Sequence, residues 1–255
     1  MRVSSDISSD YFDNHRVRHL SSDYADKIFD ALMASTKAVI DRSPEMQQGG
    51  ARILSIGCGA GEYDARCAAG LKGCRLQRYT GVEPDSGAGR TAAETAFGLA
   101  GQCEVDVWQG CFDSFCKQHG STRKYDIIYI VHAIHMMDIA RTIEGALRLL
   151  EPGKGLLHIA IQTREGVPEL YERAFQKSWP FRTAEDVLEL LRAGGTEHTV
   201  IPLDCFIDTS HDKVKQLCDF LFLTDTADMQ QTLLPMIEGG VKEKHVVISV
   251  PAPNI

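Results

Sequence analysis

Arg52-Ile53-Leu54-Ser55-Ile56-Gly57-Cys58-Gly59-Ala60-Gly61-Glu62 is the stretch that decides the fold. An apolar β-run leads into three glycines at alternate positions, then into a helix-compatible segment that opens with an acid. Glycine at those points lets the backbone turn sharply and approach a ligand with no Cβ in the way. Downstream, Tyr79-Thr80-Gly81-Val82-Glu83-Pro84-Asp85 is a second β-like run, and its Glu83 stands 22 residues after Gly61. An acid about 20 residues past a glycine turn is where one βαβ unit binds a ribose. Gly57, Gly59, Gly61 and Glu83 therefore describe a site for a nucleoside-shaped cofactor. On these residues alone, a plain strand–helix turn or a nicotinamide site stays open.

Outward from that stretch the chain alternates. Strands are expected over 53–56, 76–83, 103–109, 126–131 and 155–161, with helices over 62–70, 86–99, 112–117 and 139–150 between them. Continuous apolar strands of this kind point to a parallel sheet covered on both faces. Before it, the spacing of Tyr24, Ile28, Leu32 and Val39 predicts a helix over 21–40, capped by Ser21 or Ser22 and followed by a linker from Pro44 to Gly50. After it come helices over 168–177 and 183–192, the second opening on Thr183 and Asp186 as a near capping box. A short strand at 199–202, an insertion over 203–240 with helices near 213–223 and 227–237, and a final strand at 243–250 complete the reading. The expected organisation is an N-terminal helical segment (1–50) over the substrate, a cofactor-binding core (51–162) and a C-terminal part (163–255), all in one unit.

The composition narrows the function. A chain of 255 residues with net charge −8 lacks the clustered excess of Lys and Arg that nucleic acid demands. No apolar run is long enough to cross a bilayer, and the polar, acidic start is unlike a signal peptide. The expectation is a soluble cytoplasmic monomer that acts on a small molecule. Eight cysteines without a C-x-x-C pair read as buried small residues or free thiols, with Cys58 in the glycine loop the one whose alkylation would block a ligand.

The third glycine comes one residue earlier than in the G-x-G-x-x-G dinucleotide fingerprint. With "GVEPD" after it, "ILSIGCGAGE" resembles the first two motifs of the class I S-adenosylmethionine-dependent methyltransferases. That resemblance implies a Rossmann-like seven-stranded, mostly parallel α/β sheet with an antiparallel last strand, and a small substrate-binding subregion beside it. It also implies S-adenosylmethionine as cofactor and S-adenosylhomocysteine as product. One branch, histamine N-methyltransferase and its relatives, is resembled further by Trp108, "YDIIYIVHAIHMMDI", "DCFID", "DFLFLT" and "HLSSD".

From that branch, Val131 and Asp113 would lie against the adenine, and Asp23 would hold a substrate amine. His132 replaces a ring-binding glutamine, and His135 and Met136 replace two aromatic wall residues. Phe181 and Phe220 match other wall positions, and Glu243 stands where the branch has an asparagine that touches substrate. The implied reaction is methyl transfer to a nitrogen of a small amine, histamine or a related imidazole- or aryl-ethylamine, with Asp23 anchoring an ammonium and His132 bonding the ring or taking its proton. Another metabolite as the O- or carboxyl acceptor, or a silent cofactor-binding protein, are the competing readings. His132 and His135 are three apart, a spacing a metal could use, but no further ligand completes a set and no metal is expected. His158, inside a strand, reads as a core histidine.

Overall fold

A computed structural model describes residues 22–71, 73–96, 103–120, 122–210 and 231–253. In chain order they form α1 (Tyr24–Arg42), α2 (Pro44–Gly49), β1 (Ala51–Ile56), α3 (Glu62–Gly70), β2 (Leu76–Glu83), α4 (Ser86–Ala96) and β3 (Glu104–Gln109). Then come α5 (Phe112–His119), β4 (Ile127–Val131), α6 (Ile139–Leu149), β5 (Leu156–Gln162), α7 (Val167–Phe175), α8 (Ala184–Ala193), β6 (Thr199–Ile207) and β7 (Val241–Pro251). Short 3-10 turns occupy Ile134–Met136 and Leu234–Met236.

The strands make one seven-stranded sheet in the order β3-β2-β1-β4-β5-β7-β6. Neighbours from β3 through β5 run parallel, and β7 runs antiparallel to both β5 and β6. The sheet therefore continues across residue 162, and the cofactor core and the C-terminal part share it. The order reverses between β1 and β4, and ligands of open α/β sheets bind at the carboxyl ends of the strands at such a point.

Alternation along each strand feeds two apolar layers. Ile128 and Ile130 of β4 face a layer with Phe112 and Phe115 of α5, Ile143 of α6 and Val187 of α8. Ile127 and Tyr129 face the other layer, where Ile28, Leu32 and Met33 of α1, Cys67 of α3 and Leu71 just after it pack. Tyr129 Oη and Thr36 Oγ1 lie 2.7 Å apart inside it, so the polar tip brought in by the strand is met by the helix. At the amino ends, Asp126 accepts from the Arg52 backbone N–H and from its guanidinium, pinning the starts of β1 and β4 far from the glycine loop.

Three expectations need correction. The segment after Pro44 is a helical turn rather than a linker. Proline is tolerated at the first helical position, Ser43 Oγ accepts from the Met46 N–H, and the Met46 side chain is buried. The strand expected at 199–202 extends to Ile207 because β7 pairs with it along its whole length, which moves "DCFI" from the insertion into the sheet. Pro202 sits mid-strand, tolerated because β6 is at the edge. Asp23, rather than Ser21 or Ser22, takes the cap position before α1 and makes no side-chain cap bond, although Ser22 Oγ accepts from the Tyr24 N–H at 3.3 Å. The helix expected near 213–223 and Phe220 lie outside the described residues.

Candidate active site

The three glycines form the turn between β1 and α3, and all are left-handed, with φ of +70° at Gly57, +55° at Gly59 and +77° at Gly61. An L-residue in that region costs about 1–2 kcal/mol. The loop is also tight where it meets the fold. A Cβ on Gly57 would come within 2.4 Å of the Ala133 Cβ, and one on Gly61 within 3.1 Å of the Ala92 backbone. At Gly59 the same Cβ would meet nothing within 4 Å. Gly59 thus faces open space, as a backbone that admits a ligand must.

Glu83 closes the unit. One carboxylate oxygen accepts from the Gly59 N–H and the other from the Asp85 N–H, both at 2.9 Å. Burial pushes this carboxyl up from its ordinary pKa, and the two backbone N–H groups pull it back down. Each oxygen keeps a lone pair, so two vicinal hydroxyls could donate to the same group. The Gly110 N–H donates to the Glu83 carbonyl and brings the start of α5, with exposed Asp113 in its first turn, to the same edge. Val131, half-buried, ends β4 there.

His132 follows Val131 and, though not a glycine, also has positive φ, at +50°. Its N–H donates to the Ala160 carbonyl of β5. A strained residue outside glycine is a reason to look for function. The His132 ring meets Tyr24 and His245 edge-on, each at 5.0 Å between centroids, and those two stack on each other at 5.1 Å. His135 turns elsewhere, against Phe181 at 5.6 Å, and Trp179 and Tyr171 continue that aromatic run. The two histidines therefore belong to different ring clusters. Met136 lies half-buried in the same turn.

Asp23 and Glu243 are held by the protein itself. Asp23 Oδ1 accepts from the Phe206 N–H, and Oδ2 lies 2.6 Å from Lys27 Nζ. Glu243 is buried, accepts from Ser22 Oγ and has its other oxygen 3.1 Å from His245 Nε2. A cavity of about 710 Å³ opens beside them between α7, β6 and β7, with Lys27, Arg173, Asp204, Phe206 and Glu243 in its wall. His158 is a core residue, bonded to Ser249 Oγ and stacked on Tyr129, with burial pushing its pKa down to about 3. Cys58 is a buried free thiol, and burial pushes its pKa far up.

Tyr24 and His245 were not singled out from sequence. Tyr24 read as one more apolar position on its helix. The available signal for His245 was the polar pair Glu243 and His245 at alternate positions of a strand that continues inward as Val247.

A family model described as a methyltransferase domain matches residues 22–197, and the chain belongs to that family. Its seven-stranded sheet is that of the class I, S-adenosylmethionine-dependent methyltransferases. Among solved structures it is similar to YcgJ of Bacillus subtilis, at 15% identity over 80% of this chain and 93% of that one, with a TM-score of 0.57. It is similar also to a protein of Bacillus halodurans at 13% identity over 80% and 93%, with a TM-score of 0.58. A methyltransferase of Thiobacillus denitrificans solved with S-adenosylhomocysteine shows 20% identity over 86% and 90%, with a TM-score of 0.49. No curated protein matches the chain.

Proposed function

We propose that this methyltransferase moves the methyl group of S-adenosylmethionine to a nitrogen of a small amine, with histamine and related imidazole- or aryl-ethylamines as the acceptor class. The observation that carries the cofactor half is the Gly59–Glu83 unit: a left-handed, side-chain-free backbone facing open space beside a buried carboxylate. Gly57, Gly59 and Gly61 would admit the methionine end, Glu83 would accept from the ribose hydroxyls, and Val131 and Asp113 would flank the adenine. The cofactor supplies an activated methyl and its own leaving group. The protein must align the nucleophile and exclude water.

The acceptor half rests on the resemblance set out above and on the placement of histidines and aromatics. His132 would bond the acceptor ring or take its proton, with His135, Met136, Phe181 and Phe220 as wall residues. Asp23 would bind the acceptor's ammonium by exchanging it for that of Lys27. The existing pair is half-exposed and one helical turn apart, so giving it up costs only about 0.5 kcal/mol.

Calorimetric titration with S-adenosylhomocysteine, then a labelled-methyl assay over histamine, imidazole and indole amines, hydroxyl compounds and carboxylates, tests both halves. Binding with turnover on amines is expected. No binding would end the cofactor reading. Turnover only on oxygen acceptors would move the chemistry, and binding without turnover would leave a silent binder.

A further inference from the structure

We propose that Glu243 and His245 are positioning residues for methyl transfer: a buried carboxylate–imidazole pair that orients His132 and balances the charge His132 gains when it takes the acceptor's proton. The inference rests on the amine reading above and deepens it. It assigns Glu243 a part played through His245 rather than by touching substrate.

Register brings the three together. His245 pairs with Gln162, the last residue of β5, and the His132 N–H donates to Ala160 two residues earlier on that strand. All three thus stand at the carboxyl edge, where the glycine loop and Glu83 also lie. His245 is 0% exposed and Glu243 3%. Both occupy the face of β7 that continues inward as Val247, where an apolar side chain would be the simple solution. Burying an acid and an imidazole instead costs free energy unless each satisfies the other.

They do so only in part. The 3.1 Å contact from His245 Nε2 to Glu243 Oε2 is off the line of a hydrogen bond, and Nδ1 has no hydrogen-bond partner among the described residues. An imidazole packed this loosely in polar terms, and this tightly in steric ones, is poised to adjust when charge appears next to it. Among the described residues, the titratable groups that face His245 are Tyr24 from α1, His132 from the turn after β4, and Glu243 on its own strand. Its cross-strand neighbours, Gln162 and Leu203, do not titrate.

The step balances simply. The acceptor nitrogen's lone pair forms the bond to the methyl carbon as the carbon–sulfur bond breaks and its electron pair stays on sulfur. The methylated acceptor is then cationic and releases a proton to His132, from the other ring nitrogen when the acceptor is an imidazole and from the methylated nitrogen itself when it is an amine. The imidazolium so formed lies against His245, whose partner Glu243 supplies the compensating negative charge.

Glu243→Gln keeps the shape and the bond from Ser22 while removing the charge. His245→Phe keeps the stack on Tyr24 while removing the nitrogens. Both variants are expected to bind S-adenosylhomocysteine within twofold of the parent. On histamine, or whichever panel amine the parent methylates, kcat should fall about tenfold to a hundredfold with KM little changed. The acid limb of the pH–rate profile should move with it. A parent-like kcat and pH profile in both variants overturns the proposal. If the parent methylates no amine, the amine reading fails by itself, and the pair is still tested by the His132 ring signals in NMR with S-adenosylhomocysteine bound. His132 should titrate at lower pH in Glu243→Gln than in the parent, and an unmoved titration overturns the pairing.

Discussion

Glu83 Oε2 accepts the Gly59 backbone N–H at 2.9 Å, so the acid at the end of β2 fixes the loop that ends β1. One carboxylate both shapes the turn and presents the hydroxyl-binding oxygens. Glu83→Gln replaces one acceptor by an amide donor that faces the Gly59 or Asp85 N–H. Affinity for S-adenosylhomocysteine should fall about tenfold to a hundredfold by calorimetry, since a hydrogen bond to a charged group contributes about 1.5–3 kcal/mol. Unchanged affinity would remove Glu83 from the site.

The glycines should separate fold from ligand. Gly57→Ala forces its Cβ against Ala133 at a left-handed φ and should destabilise the protein by about 2–4 kcal/mol in urea. Gly59→Ala meets no atom of the protein and should cost only about 1 kcal/mol, yet its methyl enters the open side and should weaken S-adenosylhomocysteine binding at least as much as it weakens the fold. Equal effects of the two on stability would contradict this geometry.

Asp64, in the first turn of α3, is buried beside Ser55 and Tyr79, and burial pushes its pKa up to about 6. The folded state then holds this proton more tightly than the unfolded chain, whose carboxyl titrates near 3.9. Its contribution to stability is therefore complete below about pH 4 and is lost as pH rises through about 6, a change of at most about 3 kcal/mol. Asp64→Asn should be more stable than the parent at pH 8 by a margin that shrinks at pH 5, read from denaturant midpoints. A margin that grows on acidification would reverse the assignment.

Among the described cysteines, Cys111 combines exposure with a pKa lowered by neighbouring Ser114, whose hydroxyl and backbone N–H both donate to the Cys111 carbonyl. Cys58, buried, has its thiol pushed the other way. Iodoacetamide near pH 7.5 should label Cys111 at least about tenfold faster than Cys58, followed by peptide mass spectrometry. First labelling at Cys58 would mean that the glycine loop opens readily.

Asp23 and Lys27 give opposite expectations for a cationic acceptor. Asp23→Asn should raise KM several-fold with kcat little changed, whereas Lys27→Met, which frees the carboxylate, should lower KM. Both variants leaving KM alone would confine Asp23 to joining the start of α1 to Phe206.

The sequence made the glycine turn and Glu83 legible because each is a local fact: strand end, special backbone, acid at a fixed spacing. The sheet followed from runs such as 127–131, which cannot face water on either side. What stayed hidden depends on distant partners. Nothing near Tyr24 reveals that His245 will stack on it from the far end of the chain. Nothing in the sequence around Asp23 signals that the Phe206 N–H claims its carboxylate. Pro44 reads as the start of a linker because proline halts a helix from within, yet it also starts one. The length of β6 was missed because Pro202 and the polar Asp204 disguise a strand that β7 dictates by pairing.

That same proline has a consequence for how the protein behaves among copies of itself. β6 ends the sheet order and leaves Val200, Ile201 and Phe206 at 39%, 36% and 42% exposure. A long apolar margin of this kind invites another chain to add a strand. Proline in such a strand sits with its nitrogen toward the open side, so Pro202 removes a donor from the middle of the row a newcomer would need. The residue that obscured the strand in the sequence thus acts as its guard against self-association.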